Sequence, residues 1–260
     1  MLLARGRWPE LPTLAGVVEC PVLRPGGSVL QRPGYDAESG LLYLPSGSFL
    51  EVPAAPDRGA ALDALAQLRE AVRDFPFATE AHRAAWLCAL LTPLARAAFS
   101  GPSPLNLIDG NVRGCGKSLL ADVCAVLLTG RPAARMSVPG PEAELRKAIT
   151  SLALEAERTV LLDNVAGVLG SPTLDRALTA EVWRDRVLGA SRQVALPLAI
   201  TWYATGNNVS LAGDTARRCL HIRLHSSLAR PEKRAGFRHP RLLDWLARER
   251  PRLLPAALTM

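Results

Sequence analysis

The stretch that decides the fold is residues 105–128, LNLIDGNVRGCGKSLLADVCAVLL. It begins as an apolar strand, passes through a glycine-containing loop and continues as a helix with apolar residues at helical spacing. This order lets the backbone N–H groups of a tight loop and of the following helix N-terminus point at phosphate oxygens. Glycines allow the close approach because they carry no Cβ. The stretch therefore predicts a phosphate-binding loop, the alternative being a plain strand–turn–helix.

Lys117 and Ser118 follow the last glycine of this loop. In such loops the lysine places a flexible charge on the β- and γ-phosphates and the hydroxyl coordinates Mg²⁺. The chain has only three lysines against 28 arginines. An ammonium and a guanidinium are not interchangeable at this position, so a lysine here is informative. We assign phosphate binding to the run Asn111, Val112, Arg113, Gly114, Cys115, Gly116, Lys117, Ser118 and Leu119.

The loop departs from the usual G-x-x-x-x-G-K-[ST] pattern at its first position. The expected glycine falls on Asn111, and a glycine stands one residue earlier, at Gly110. Because Asn adopts positive φ more readily than most residues, we expect the loop to form with Asn111 in this place.

A second acidic position lies in RTVLLDNVAG, residues 158–167. Thr159–Leu162 is predicted to be a buried strand with Asp163 at its carboxyl end, where a Walker B acid holds Mg²⁺; the alternative is an Asp that caps a turn. Asn164 follows, where many P-loop ATPases carry a Glu, and an amide cannot accept a proton as a carboxylate does. Either hydrolysis is slow, or the base is another acid: Glu155, Glu181 or Asp185.

Two further strands have polar residues at one end. In the segment LPLAITWYATGNNVSL an apolar strand ends in Thr205-Gly206-Asn207-Asn208, and an amide there can orient water near the γ-phosphate; the alternative is an Asx turn. The segment GDTARRCLHIRL places Arg217 and Arg218 just before the last strand. An arginine in this place can reach a neighbouring subunit's nucleotide, or the two form a surface pair.

Strands alternate with helices after residue 101, which predicts an α/β fold with a sheet covered on both faces. The predicted strands are Leu105–Ile108, Ala134–Val138, Thr159–Leu162, Leu198–Ala204 and Cys219–Leu224. The predicted helices are Lys117–Leu128, Glu142–Ala153 and Leu174–Ala180.

Four regions are expected along the chain. They are a small β-rich arm or lobe over residues 1–58, a helical region over 59–100, the P-loop core over 101–230 and C-terminal helices over 231–260. In the helical region, Leu62, Leu65, Leu68 and Val72 recur on one side of a predicted helix over 59–74. Thr79 is expected to cap the next helix.

Composition limits the remaining possibilities. The 260 residues contain no apolar run near the length of a membrane span and no secretory signal pattern. Five cysteines without C-x-x-C spacing favour a reducing compartment, so we expect a cytoplasmic protein. The net charge is +7, and residues 181–260 hold 14 basic and 6 acidic residues. This excess favours a polyanionic partner, the alternative being a solvated arginine-rich surface.

The order of these motifs resembles a known family. NVRGCGKS, VLLDN, WRDRVLG, WYATGNN and DTARRCLHIRL are similar to the AAA+ helicase-type ATPase modules of phage, plasmid and integrated-element replication proteins. Those modules are often fused to primases and are related to superfamily-3 viral helicases. The resemblance extends upstream, over residues 14–45 and 74–77, and downstream, over residues 230–259.

The resemblance implies ATP-dependent unwinding or translocation of single- or double-stranded DNA by a homo-oligomeric ring, commonly a hexamer, with ATP and Mg²⁺ as cofactors and a primase as a partner. It implies a P-loop NTPase (AAA+/ASCE) core with a five-stranded, mainly parallel sheet. Asp163 would be the Walker B acid, Asn207 the sensor amide, and Arg217 or Arg218 the arginine finger. Superfamily-3 helicases have a DNA-contacting hairpin at the place of residues 188–196, which makes Arg192 the expected DNA contact.

Two other functions stay open from the sequence. One is an assembly or scaffold protein that binds ATP, hydrolyses it weakly and forms oligomers with nucleotide, and Asn164 motivates it. The other is a P-loop enzyme with a small-molecule substrate, such as a kinase, against which the arginine excess of the last third argues weakly.

Overall fold

The computed structural model describes residues 11–186 and 193–260. Residues 16–43 contain five short strands: β1 (Gly16–Val18), β2 (Val22–Leu23), β3 (Val29–Leu30), β4 (Gly34–Asp36) and β5 (Leu41–Tyr43). Strands β1, β5 and β4 make a three-stranded sheet in that order, and β2 pairs antiparallel with β3. Two helices follow, α1 (Arg58–Ala71) and α2 (Glu80–Ala95). Asp57 and Thr79 accept hydrogen bonds from the first turns of α1 and α2, so each helix begins at a capping side chain.

From Leu105 onward strands and helices alternate. The elements are β6 (Leu105–Gly110), α3 (Lys117–Thr129), β7 (Ala134–Met136), α4 (Glu142–Leu154), β8 (Thr159–Val165), β9 (Val168–Leu169), α5 (Pro172–Ala177), β10 (Val182–Arg186), β11 (Gln193–Pro197), β12 (Thr201–Asn207), β13 (Ser210–Leu211), α6 (Gly213–Ala216), β14 (Cys219–Leu224) and α7 (Leu242–Thr259). A short 3-10 helix, Pro231–Lys233, precedes α7. None of the helices in the described ranges is long and apolar enough to cross a membrane.

The central sheet has five strands in the order β14-β6-β12-β8-β7, and every pairing is parallel. The α/β prediction is therefore confirmed, and the sheet predicted to be mainly parallel is entirely so. In a parallel sheet all carboxyl ends meet at one edge, which here gathers the loops after β6, β8 and β12. That edge is where ligands bind in open α/β folds.

Both faces of the sheet are buried, as a parallel sheet requires. Alternate side chains point to opposite faces: Ile108, Leu161 and Tyr203 join one apolar cluster, while Leu107, Val160 and Trp202 join the other. The first cluster also contains residues of the N-terminal strands and of α1, α2, α3 and α7. The second contains residues of α4, α5 and the β10–β11 hairpin.

Helix α1 buries one of its faces. The buried residues of α1 are Ala64, Leu68 and Ala71, whereas Leu62 is 55% exposed and lies outside this face. Helix α7 packs along α1, and the small alanines allow the two helices to approach closely. The C-terminal region forms one continuous helix after the short 3-10 turn.

Candidate nucleotide-binding site

The loop between β6 and α3 has the conformation that its glycines allow. Gly114 and Gly116 have φ values of 75° and 94°, a region that favours glycine. A Cβ on Gly116 would lie 2.9 Å from the Phe75 ring, and one on Gly114 would lie 2.5 Å from the Glu232 carboxylate. No side chain in the described residues caps the start of α3 at Lys117. The first N–H groups of α3 are therefore available to an anion.

Asn111 fits the loop for a different reason from the one expected. Its φ is not positive. Its side-chain Nδ2 donates to the Ser226 carbonyl at 2.8 Å, and the Ser226 N–H donates to its Oδ1 at 2.9 Å. An amide can both donate and accept in this way, whereas glycine could do neither. Asn111 thus ties the phosphate loop to the chain segment after β14.

Lys117 contacts the predicted sensor residue. Its Nζ donates to Asn207 Oδ1 at 2.8 Å and to the Val112 carbonyl at 3.1 Å. The Cys115 thiol also donates to Val112, at 3.3 Å, on the inner side of the loop. Of the remaining residues of the predicted run, Arg113 and Leu119 are exposed. The lysine and the amide predicted from separate motifs therefore lie side by side.

Ser118 and Asp163 meet at the carboxyl edge of the sheet. Asp163 Oδ1 accepts a hydrogen bond from Ser118 Oγ at 2.7 Å and another from Thr205 Oγ1 at 2.6 Å. Burial raises the pKa of Asp163, but the bonds from Thr205 and Ser118 and the charge of Arg135 outweigh burial and hold the pKa below its usual range. A hydroxyl and an ionised carboxylate are ligand types that Mg²⁺ takes, so this pair fits the metal.

A β-bulge at Asp163 and Asn164 shapes this edge. Ala204 is opposite Leu162 and Gly206 is opposite Val165, so two residues of β8 face the single Thr205 of β12. Asn164 is the extra residue of the bulge and has a φ of 56°. Its N–H donates to Thr205 Oγ1 at 3.1 Å. Bulges re-aim side chains next to active sites, and this one directs Asp163 toward Ser118.

The bulge also concerns the identity of residue 164, which is Asn in this chain where many P-loop ATPases carry a Glu. Asn is enriched among non-glycine residues with positive φ, so the conformation of Asn164 accounts for Asn in this place. Two of the three alternative bases, Glu155 and Glu181, are not brought to the site. Glu155 follows α4, before β8 begins, and Glu181 lies beside Gly101, both at the amino-terminal side of the sheet. Asp185 is paired with Arg146 at 3.3 Å.

Three residues of this edge were not predicted from the sequence. Thr205 and Arg135 both contact Asp163, and Asp122 pairs with Arg135. Asp122 could have been found from the sequence, because it stands four residues after Ser118 and therefore lies on the same face of α3. Arg135 could not, because it lies 28 residues from Asp163 in sequence.

An ion pair between a buried carboxylate and a half-buried arginine supports the end of β12. Asp109, at the end of β6, is paired with Arg223 of β14 and accepts the Val209 N–H at 3.2 Å. The second guanidinium nitrogen of Arg223 donates to Asn208 Oδ1 at 2.8 Å. This network holds the turn that carries Asn207.

Arg217 and Arg218 lie away from this site. Cys219, which follows them, is opposite Leu105 at the start of β6, so both arginines lie at the amino-terminal edge of the sheet. The side chain of Arg217 is 81% exposed and contacts Asp214, whereas that of Arg218 is 33% exposed and lies 3.6 Å from Asp175. The structure thus brings neither arginine to the candidate nucleotide-binding site.

The predicted DNA contact, Arg192, lies outside the described residues. The strands on either side of 187–192 are described, and β10 pairs antiparallel with β11. Trp183 is buried between this pair and α4, where its Nε1 donates to Thr150 Oγ1 at 2.9 Å.

An apolar cavity of about 450 Å³ opens beside the phosphate loop. Three segments contribute to it: the end of α1 with the turn that follows, the loop with the start of α3, and the segment 226–244. Its apolar lining includes Phe75, Pro76, Leu119, Leu228, Pro231 and Phe237. An ion pair of 3.0 Å between Arg234 and Asp74 joins two of these segments at the cavity. Such mostly apolar clefts with a few polar groups are the usual form of a small-molecule site.

No protein-family model and no curated protein matches the chain. Among solved structures, it is similar to the apo NrS-1 C-terminal region, with a TM-score of 0.49 and 13% identity over 100% of this chain and 58% of that one. A structure of JCV helicase is similar with a TM-score of 0.36 and 14% identity, over 77% of this chain and 59% of the other. The chain thus spans less than two thirds of each of these structures.

Proposed function

We propose that the protein is an ATP-dependent motor that unwinds or translocates DNA in the replication system of a mobile element. One observation carries the proposal: Lys117, Ser118, Asp163 and Asn207, drawn from three separate motifs, converge at one sheet edge beside an apolar cavity. The same residues carry the sequence resemblance to AAA+ helicase-type modules. The proposal assigns them to ATP and Mg²⁺.

Each residue has a role in this proposal. The N–H groups of the loop and of the first turn of α3 bind phosphate oxygens, and Lys117 transfers its contact from Asn207 to the β- and γ-phosphates. Ser118 and Asp163 hold Mg²⁺, which when bound neutralises charge on the phosphates. Asn207, released from Lys117, orients the attacking water. The cavity next to Gly114 and Gly116 receives the base.

The proposal includes a ring, and the positions of Arg217 and Arg218 support it. They lie at the sheet edge opposite the nucleotide site of their own subunit, and Arg217 is free to extend. In a closed ring with head-to-tail contacts, that edge faces the neighbour's site, where an arginine stabilises developing charge. DNA, single- or double-stranded, is the proposed polyanion for the basic last third, with Arg192 as a contact. A hexamer and a primase partner remain proposals from the resemblance.

ATP hydrolysis with and without single-stranded DNA tests the proposal. We expect turnover that rises with DNA and is lost in Lys117→Ala, while Lys147→Ala keeps wild-type turnover. Lys147 is the matched control because its ammonium pairs with Glu144 on the surface of α4 and has no other partner among the described residues. Equal turnover with and without DNA, together with an active Lys117→Ala protein, would contradict the motor.

A second function has its own observation. Asn164 supplies no carboxylate, and Glu155 and Glu181 lie at the amino-terminal side of the sheet, away from the site. A protein that binds ATP, hydrolyses it weakly and assembles with nucleotide would have such a site. Nucleotide-dependent oligomers with negligible turnover, even with DNA, would favour this scaffold function over the motor.

A further inference from the structure

Ser118, Asp163, Arg135 and Asp122 form a closed chain of contacts. Ser118 donates to one oxygen of Asp163, and Arg135 Nη1 lies 3.3 Å from the other. Nη2 of Arg135 donates to Asp122, whose second oxygen accepts the Ala133 N–H at 3.3 Å. Ser118 and Asp122 are one turn apart on α3, which closes the chain. The contacts thus link α3 to β7 and β8.

The exposed fractions of Asp122 and Arg135 show which of the two side chains holds the other in place. The side chain of Asp122 is 4% exposed, and that of Arg135 is 46% exposed on the edge strand β7. Burial raises the pKa of Asp122, and the charge of Arg135 opposes this effect. A buried carboxylate needs a paired cation. Asp122 therefore holds the guanidinium in place, and the planar fork leaves a second donor directed at Asp163.

Asp163 has partners on both of its oxygens as a result. One oxygen accepts the hydroxyls of Ser118 and Thr205, and the other faces Arg135. A carboxylate held at both oxygens has little freedom to rotate, so it loses less entropy when it binds a cation. Residues that hydrogen-bond to a metal-binding carboxylate typically change metal affinity 10- to 100-fold when they are removed.

We propose that Arg135, fixed by Asp122, is a positioning residue for the metal-binding carboxylate of Asp163. This inference rests on the proposed function, since it takes Asp163 to be the acid that holds Mg²⁺. Arg135 acts through Asp163 and not on the nucleotide. Its loss should therefore weaken metal binding and leave metal-free nucleotide binding unchanged.

The test uses the double variant Asp122→Asn/Arg135→Gln. Arg135→Gln alone would leave Asp122 buried without a cation and could prevent folding, whereas the double change leaves two amides that can bond to each other. It removes one positive and one negative charge, so the net charge beside Asp163 is the same as in the wild type. Arg131→Gln is the matched control, because Arg131 lies between α3 and β7, its side chain is 74% exposed, and its guanidinium pairs with Glu19 and not with Asp122 or Asp163.

Two binding constants are measured for each protein. ADP is titrated in EDTA by calorimetry, and Mn²⁺, replacing Mg²⁺, is titrated into the stoichiometric ADP complex and followed by electron paramagnetic resonance. We expect the double variant to need at least about tenfold more Mn²⁺ and to bind metal-free ADP with wild-type affinity. Arg131→Gln should match the wild type in both.

Other results overturn the inference. A wild-type Mn²⁺ midpoint in the double variant would show that Arg135 does not position Asp163. Parallel loss of ADP affinity and of melting temperature would show a structural cross-link only. A wild-type protein that binds neither ADP nor Mn²⁺ would overturn the proposed function and the inference with it, and this result is recognised before any variant is measured.

Discussion

The Lys117 ammonium donates a 2.8 Å hydrogen bond to the amide oxygen of Asn207, 90 residues further along the chain. The contact joins the phosphate loop to the carboxyl end of β12, the strand next to β6. Nζ also donates to the Val112 carbonyl at 3.1 Å, so two oxygen acceptors hold the ammonium at the edge of the site. In the proposed function a phosphate oxygen replaces Asn207 as an acceptor for this ammonium.

The first prediction separates the two members of this pair. Asn207→Ala should lower ATP turnover about 100-fold, because a misplaced water attacks poorly, while ADP affinity changes little. Lys117→Ala should instead lose ADP binding, since the charge on the phosphates is gone. Steady-state hydrolysis and calorimetric ADP titration measure the two effects. Wild-type turnover in Asn207→Ala would contradict the role given to the amide.

The second prediction concerns the bulge at Asn164. With a φ of 56°, this residue is in the left-handed region, which costs most side chains about 1 kcal/mol more than Asn or Gly. Asn164→Gly should therefore keep the free energy of unfolding, and Asn164→Glu should lower it by about that amount. Urea unfolding of the two variants measures the difference. Equal stability of the Gly and Glu proteins would show that the backbone conformation does not select Asn here.

The third prediction concerns Asn111. Restoring the usual loop pattern with Asn111→Gly removes both hydrogen bonds to the Ser226 backbone. We expect the free energy of unfolding to fall by about 1–3 kcal/mol, because each bond contributes about 0.5–1.5 kcal/mol and glycine adds backbone entropy to the unfolded chain. Thermal and urea unfolding measure the change. A Gly variant at least as stable as the wild type would show that the link to Ser226 adds nothing.

Local sequence order was sufficient to predict the strand, loop and helix over residues 105–128 and the buried strand that begins at Thr159. Glycine, lysine and hydroxyl positions are set by neighbours within eight residues, whereas β8 continues past the predicted end at Leu162 to Val165 and includes Asp163. The alternation of strands and helices was enough for the α/β fold, because each strand had to be buried on both faces. These features are local consequences of backbone geometry and apolar spacing.

Features that join distant segments could not be predicted in this way. Asn111 bonds to Ser226, 115 residues away, and Arg135 faces Asp163 because β7 happens to pair with β8. The buried face of α1 depends on α7, near the end of the chain. Nothing in the local spacing around Leu62 could show which side of that helix would be covered.

The fourth prediction tests whether the cavity receives the nucleotide base. Leu228 lines the cavity and is 48% exposed, so Leu228→Trp should fill part of the space without disturbing the core. ADP affinity should fall at least about tenfold, since a misfit in a pocket costs about 1–3 kcal/mol, while affinity for inorganic pyrophosphate stays the same. Leu62→Trp is the control, as Leu62 is 55% exposed on α1. Unchanged ADP affinity in Leu228→Trp would place the base elsewhere.

The fifth prediction tests the ring through Arg217. Arg217→Ala and Lys117→Ala should each be inactive alone. The first lacks the arginine finger, and the second cannot bind nucleotide. If the arginine acts on the neighbour's nucleotide, random mixing of the two proteins places an intact site beside an intact finger at about a quarter of the interfaces. Turnover should then reappear on mixing. Arg218→Ala should stay active alone, because Arg218 is occupied with Asp175 and the Asp214 carbonyl. A mixture as inactive as its components would mean that no subunit completes another's site.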